Sequence, residues 1–218
     1  LKVLAARVDI MAGKPADAER LLREVITADT SELEAYDLLG RLYIAQGQTD
    51  RAVAEYKALA AKSKAPAGAL TMIGLIQESR GDRAAAKKQY EEVLAVDPRS
   101  GVAANNLAWM YAEDGRVEDA IRLATVATEE LRGRPEADDT LGWAYYHRGT
   151  MTRAIAAFER AIEKAPERPI YHYHLGLALD RAGSADKARA AFKRALSFKA
   201  DFAGSDDARA RLAWGDRP

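Results

Sequence analysis

Apolar and small residues recur along this chain at one fixed spacing. Residues 33–66 carry Tyr36, Leu39, Gly40 and Tyr43, then Gly47, Ala52 and Tyr56. Leu39, Gly40 and Tyr43 stand at i, i+1 and i+4, the spacing of one buried helical stripe. The figure returns in 67–100 (Leu70, Ile73, Gly74, Gln77, Gly81, Ala86, Tyr90) and in 101–134 (Leu107, Ala108, Tyr111, Gly115, Ala120, Ala124). It returns again in 135–168 (Leu141, Gly142, Tyr145, Gly149, Ala154, Phe158, Ala161) and in 169–202 (Leu175, Gly176, Leu179, Gly183, Ala188, Phe192, Ala195). An opening unit, 1–32, carries Gly13, Ala18 and Leu22. Gly13, Gly47, Gly81, Gly115, Gly149 and Gly183 are 34 residues apart without slippage. A period of that size marks a repeat array in which each unit packs mainly on its neighbours.

These residues and this spacing resemble the tetratricopeptide repeat over residues 1–202. The resemblance implies an all-α fold: a right-handed α-α superhelix, or solenoid, of six helix pairs (1–32, 33–66, 67–100, 101–134, 135–168 and 169–202). Gly or Ala after the stripe leucine lets the second helix of a pair come close, and a larger side chain there would overpack the contact. The glycine at each turn suits a left-handed helix-ending residue, having no Cβ to clash. Asp97-Pro98 and Ala165-Pro166 stop second helices, because proline disfavours helical geometry in the residue before it. Residues 203–218 lose the repeat and read as a C-terminal capping helix and tail. Ser205 or Asp206 opens that helix, Ala208 and Leu212 face inward, and Arg209 and Arg211 face outward. The first helix has no such cap, which leaves Leu1, Val3 and Leu4 exposed or covered by another segment. The chain starts at Leu1, already inside a helical pattern, and reads as a fragment or processed product.

Composition narrows the function more than the fold. Of 218 residues, 33 are Lys or Arg and 33 are Asp or Glu. This zero balance argues against a general nucleic-acid binder. The absence of cysteine excludes disulfides and thiolate metal sites and suits either redox compartment. No apolar run is long enough to span a membrane. No phosphate-binding glycine loop and no nucleophile elbow appears. His172 and His174, two apart on a helix, diverge by roughly 200° and do not share a metal. They and His147 read as surface or groove histidines, and Glu129-Glu130 and Asp138-Asp139 as solvated helix ends. Acid–base chemistry needs a closed pocket, which an open solenoid rarely supplies, so no enzyme activity and no cofactor is expected.

The resemblance places the fifth, ninth and twelfth positions of each first helix on a concave wall. Those positions give Asp37, Arg41 and Ile44; Thr71, Leu75 and Glu78; Asn105, Trp109 and Ala112; Asp139, Trp143 and Tyr146; and Tyr173, Leu177 and Asp180. Asn105 and Asn106 have the chemistry to hydrogen-bond an extended backbone. Trp109 and Trp143 are equivalent residues of adjacent repeats and should be neighbours. An open aromatic patch marks a binding site, because Trp and Tyr dominate binding hot spots. The alternative is that the tryptophans at the ninth position, Trp109 and Trp143, pack between adjacent first helices and only support the array. Adding Glu34, Glu113, Glu136 and Arg181 gives an excess of acidic groups on this wall.

The expected function is a scaffold that grips a peptide or protein segment in the groove, the segment being neutral to basic with an apolar anchor. Thr71 and Leu75 stand where a cation or Asn would help to clamp an acidic chain end, and Asp37 would repel one. Binding of such a tail is therefore not expected, although Asn106 matches a clamp position. A second reading is an assembly module whose uncapped first helix stacks on another chain, including a second copy. A third is a regulatory region of a larger protein. The stretches 105–113, 139–146 and 171–176 resemble bacterial repeat proteins of exopolysaccharide production and surface-protein export. That resemblance implies a periplasmic or membrane-associated assembly role; the compartment itself is left open, a soluble protein suiting either the bacterial cytoplasm or the periplasm. The second helix of the last repeat is basic (Lys187, Arg189, Lys193, Arg194, Lys199) and reads as a solvated outer face.

Overall fold

The computed structural model of the chain describes residues 1–29, 32–198 and 201–215, the last two as backbone only. Among the described residues there are thirteen helices and no strand, as the all-α reading expects. They run in pairs: α1 (Lys2–Met11) and α2 (Pro15–Ala28), α3 (Leu33–Ala45) and α4 (Thr49–Lys62), α5 (Ala67–Ser79) and α6 (Arg83–Val96). Then come α7 (Gly101–Glu113) and α8 (Val117–Glu130), α9 (Pro135–Arg148) and α10 (Met151–Lys164), α11 (Pro169–Arg181) and α12 (Ala185–Phe198), and finally α13 (Ser205–Gly215). α6 and α10 end just before Asp97-Pro98 and Ala165-Pro166.

Each pair turns on its periodic glycine. Gly149 has φ of 86°, in the left-handed region that a Cβ disfavours. This lets its N–H reach the Tyr146 carbonyl at 3.1 Å and the next N–H, of Thr150, reach the Tyr145 carbonyl at 3.0 Å. Two carbonyls left over at the helix end are thereby satisfied. The five equivalent glycines have φ between 69° and 79°.

The stripe glycines do more than let helices approach. A Cβ on Gly40 would lie 2.6 Å from the Tyr56 ring, on Gly74 2.6 Å from Tyr90, on Gly142 2.6 Å from Phe158, and on Gly176 2.5 Å from Phe192. The ring of the second helix fills the space the missing side chain leaves, and all four rings are buried. The other two pairs keep the register and change the partners: Ala6 with Leu22, and Ala108 with Ala124, all of them buried. Volume is shared between the two positions, as a close-packed interior requires.

The chain divides into two compact units, Leu1–Ala103 and Ala104–Pro218. In the first, α1 to α6 pack in chain order and α1 also touches α3. Its core includes Leu22, Leu39, Tyr43, Tyr56 and Ile73. Leu1 and Leu4 are exposed, with Val8 and Met11 on the same helix. In the second unit α8 to α13 pack in chain order and α9 touches α11. Phe158 with Ala154 and Ala178 forms one cluster, and Phe192 with Leu177, Leu179 and Ala208 another.

α13 turns Ala208 and Leu212 inward and Arg209 outward, as expected. It also prolongs the period that its sequence conceals. Ser205, Ala208 and Leu212 stand one repeat after Tyr171, His174 and Ala178, and both sets face the interior. No helix among the described residues is long and apolar enough to cross a membrane. On α12, Lys187, Lys193 and Arg194 are exposed, and Lys199 lies outside the described residues.

Candidate functional site

In the first unit the expected wall residues are mostly engaged with the protein itself. Asp37 and Arg41, one turn apart on α3, form an ion pair at 2.8 Å. Thr71 is buried and donates to the Ala67 carbonyl at 2.7 Å, so it is a helix-facing hydroxyl rather than a wall residue. Leu75 is half-buried, and Glu78 is exposed and accepts from the Tyr90 hydroxyl at 2.8 Å. Glu34, counted among the wall acids, pairs with Arg7.

A polar network on this unit was not anticipated. The Tyr43 hydroxyl donates to Glu19 at 2.9 Å and accepts from Arg51 at 2.7 Å and Arg23 at 3.1 Å, while Arg23 reaches the buried Glu55 at 2.6 Å. Burial works to raise the Glu19 carboxyl, but hydrogen bonds from Tyr43 and Arg51 outweigh it and hold the carboxyl below its ordinary value. The network ties α2, α3 and α4 together. The one sequence signal for it was a tyrosine with acids and arginines on both flanking helices.

The second unit brings the aromatic wall together. Trp109 on α7 and Trp143 on α9 stack with centroids 4.9 Å apart and planes 7° apart. Tyr146, nearly one turn beyond Trp143, stacks on it at 5.3 Å and 11°. The Arg181 guanidinium lies 5.1 Å from the Tyr146 ring centre and donates to the Tyr146 carbonyl at 2.9 Å. The predicted neighbours therefore form a ladder of three parallel rings on two helices, with a cation at the tyrosine. All three rings are half-buried.

Two histidines lie against the ladder. His147 meets Trp143 edge-on at 4.8 Å and Tyr146 at 5.8 Å. Burial pushes its imidazole below the ordinary histidine value; Arg181 adds to that and Glu113 opposes it. His174 sits 4.8 Å from Trp143 and 5.6 Å from Trp109, and its Nδ1 is 2.8 Å from Asp139 Oδ1. Asn105 donates to Asn106 at 3.2 Å. Asn105 Oδ1, Trp143 Nε1 and His147 Nε2 are buried with no hydrogen-bond partner among the described residues.

Several sequence expectations change here. His172 and His174 are buried, not surface or groove residues: His172 faces the Pro166 carbonyl at 2.8 Å and His174 faces Asp139. Asp138 does not sit on a solvated helix end. It is buried between Arg160 at 2.8 Å and Lys164. Asp139 and Leu177, expected on the wall, are buried as well. Tyr173 is covered by the C-terminal segment: its hydroxyl donates to Asp207 at 2.9 Å, and its ring lies against Gly204. Asp180 pairs with Arg211 at 2.7 Å, so a cation from α13 offsets one of the counted acids.

A family model described as tetratricopeptide repeat matches residues 71–135 and 140–208, and a second with the same description matches 9–71. A stretch of 129 residues is 29% identical to Cellulose synthase operon protein C of Pseudomonas fluorescens (strain SBW25), covering 56% of this chain and 10% of that protein. The match thus spans a tenth of that relative's length. Among solved structures, the APC/C hetero-tetramer Cut9-Hcn1 is similar with a TM-score of 0.77 at 15% identity, over 97% of this chain and 42% of that chain. PilW, described as a widely conserved type IV pilus biogenesis factor, is similar with a TM-score of 0.71 at 15% identity, over 94% of this chain and 96% of that one. At such identities the likeness is one of fold.

Proposed function

This chain belongs to the tetratricopeptide repeat family, and from that premise we propose that it is a non-catalytic scaffold holding a peptide or protein segment against the aromatic wall of its second unit. One observation carries the reading: Trp109, Trp143 and Tyr146 form a half-buried ladder at positions that the glycine-and-ring lock between paired helices does not use. Aromatic side chains of this kind supply large, rigid contact area and are enriched among binding anchors. Asn105 and Asn106, half-buried on α7 with Trp109 and hydrogen-bonded to each other, add amide groups with the chemistry to meet an extended backbone. The bound segment is neutral to basic, since Glu113 and Glu136 lie exposed on the same first helices, and it inserts an apolar side chain.

The test is capture of partners from a bacterial lysate by the wild-type chain and by Trp109→Ala and Tyr146→Ala variants, each first checked for an unchanged melting temperature. Partners retained by the wild type and lost from both variants support the site. Identical capture by all three proteins refutes it.

A second reading has its own support. The similarity to part of a cellulose synthase operon protein favours a regulatory or assembly region within a larger bacterial polysaccharide-production protein. In that reading the exposed Leu4, Val8 and Met11 of α1 are a contact surface. Light scattering at micromolar concentration separates self-association through α1 from a monomeric scaffold.

A further inference from the structure

Two buried polar side chains meet beside the aromatic ladder. Asp139 on α9 is 6% exposed and His174 on α11 is 4% exposed. Asp139 Oδ1 and His174 Nδ1 are 2.8 Å apart. A carboxylate only accepts, so Nδ1 carries the proton and the tautomer is fixed. The imidazole so held touches four rings: Trp143 at 4.8 Å, Trp109 at 5.6 Å, Phe158 at 5.6 Å and Tyr173 at 5.7 Å.

The fold itself does not call for this pair. The residues equivalent to His174 are Leu4, which is exposed, Leu38 and Met72, half-buried against an apolar core, Asn106, half-buried, and Thr140, buried. No other first helix places an imidazole there, and in α3 and α5 an apolar side chain fills the place. Replacing a buried polar pair by apolar packing is often neutral or stabilising, so such a pair is weak evidence for a role in stability. What it does supply is direction. A hydrogen bond sets the tilt of a flat ring, and the ring sets the angle of whatever leans on it.

We propose that Asp139 and His174 are positioning residues: the carboxylate fixes the imidazole, and the imidazole holds the stacked Trp109–Trp143 pair in the geometry presented to a partner. This rests on the reading that the wall is the partner site.

The experiment begins by replacing Trp214, the third tryptophan of the chain, with Phe, so that only the two stacked indoles report. In that background Asp139→Asn, which keeps an acceptor, is compared with His174→Asn, which keeps a donor and loses the ring, and with the double variant Asp139→Leu/His174→Leu. Near-ultraviolet circular dichroism of the indoles and quenching of their emission by acrylamide are recorded beside thermal melting. Asp139→Asn should keep the wild-type indole band. The double variant and His174→Asn should lose about half of that band or more, with about twofold steeper quenching, because a stacked pair released from its support samples other geometries. The double variant should melt within a few degrees of the background protein.

If both ring-loss variants keep the background band and quenching, the proposal is overturned. It is also overturned if their band falls only in step with lost helical signal. His174→Asn decides alone if the double variant does not fold. Failure of the wall as a partner site registers separately, as unchanged capture by Trp109→Ala.

Discussion

The lock between Gly142 and Phe158 gives the most direct test of how these helices pair. Gly142→Ala places a Cβ 2.6 Å from two atoms of the Phe158 ring and 3.0 Å from a third. Phe158 is fully buried, so the ring cannot swing into solvent. Overpacking of this kind costs roughly 1–3 kcal/mol, and the sub-contact distances put this site at the upper end. Alanine in place of glycine in a helix returns about 1 kcal/mol. The expected net loss is therefore about 2 kcal/mol. Phe158→Ala alone should cost about 3–5 kcal/mol through lost burial and the cavity left behind. In the double variant the clash is gone, the new methyl occupies part of the cavity and the helix gain remains. Its cost should be about 2–4 kcal/mol, some 3 kcal/mol less than the singles summed, at the upper end of coupling for touching residues. The sequence already contains this solution, since Ala108 and Ala124 hold the same two positions in another pair. Equilibrium urea unfolding followed by circular dichroism measures all three variants. Additive costs, or a Gly142→Ala protein as stable as the wild type, would refute the idea that one volume is shared between the two positions.

Other glycines should respond differently to the same change. Gly68 lies in α5 with nothing within 4 Å of its Cβ position and no positive φ, so Gly68→Ala should stabilise by up to about 1 kcal/mol; Gly115, at φ of 79°, should lose about 1–2 kcal/mol as alanine despite equally open space. Trp143→Ala should cost roughly 3–5 kcal/mol in thermal or urea unfolding, because its ring stacks with both Trp109 and Tyr146 and meets His147 and His174. Burial holds the His147 imidazole below its ordinary value of about 6.5, so the unfolded chain takes up the proton first. The contribution is complete above that pH and is lost as pH falls below it. His147→Gln should flatten the stability profile below about pH 6.5. At the alkaline end burial, with the charges of Glu136 and Asp139, pushes the Tyr171 hydroxyl up to about 12. Its contribution is intact below about pH 10 and is lost as pH rises to 12, at most about 2–3 kcal/mol, and Tyr171→Phe should abolish it.

What the sequence reveals depends on how local the requirement is. The turn glycines were legible because a positive φ is a demand of the backbone at one residue. Leu39-Gly40 and Leu141-Gly142 were legible because a helix stripe repeats every turn. The stacking of Trp109 on Trp143 followed from equal repeat positions. His172, His174 and Asp138 were misread because burial here is not confined to one stripe. In α9 the residues from Ala137 to Gly142 are buried without a break, together with Ala144. A helix clasped by neighbours on two sides hides polar positions that a single-face pattern assigns to water. Tyr173 was misread for a related reason. The segment that covers it, from Gly204 to Asp207, carries none of the repeat's marker residues, although α13 buries the same positions as α11.

The rings that pack into the stripe glycines stand on second helices, and those of the proposed wall on first helices. Tyr56, Tyr90, Phe158 and Phe192 belong to second helices, are buried, and lose several kcal/mol each if truncated. Trp109 and Tyr146 belong to first helices and are half-buried, and each stacks on Trp143. A stacking contact adds only about 0.5–1.5 kcal/mol beyond the area it buries. Loss of Trp109 should therefore weaken a bound segment more than it weakens the fold. Trp143 differs, because it stacks with both Trp109 and Tyr146 and has His147 and His174 at 4.8 Å. Its removal collapses the ladder and the packing together. A partner lost from Trp143→Ala alone would report a damaged wall, whereas a partner lost from Trp109→Ala with the melting temperature preserved would report a contact. Trp109 is thus the ring on which the distinction between scaffold and site can be measured.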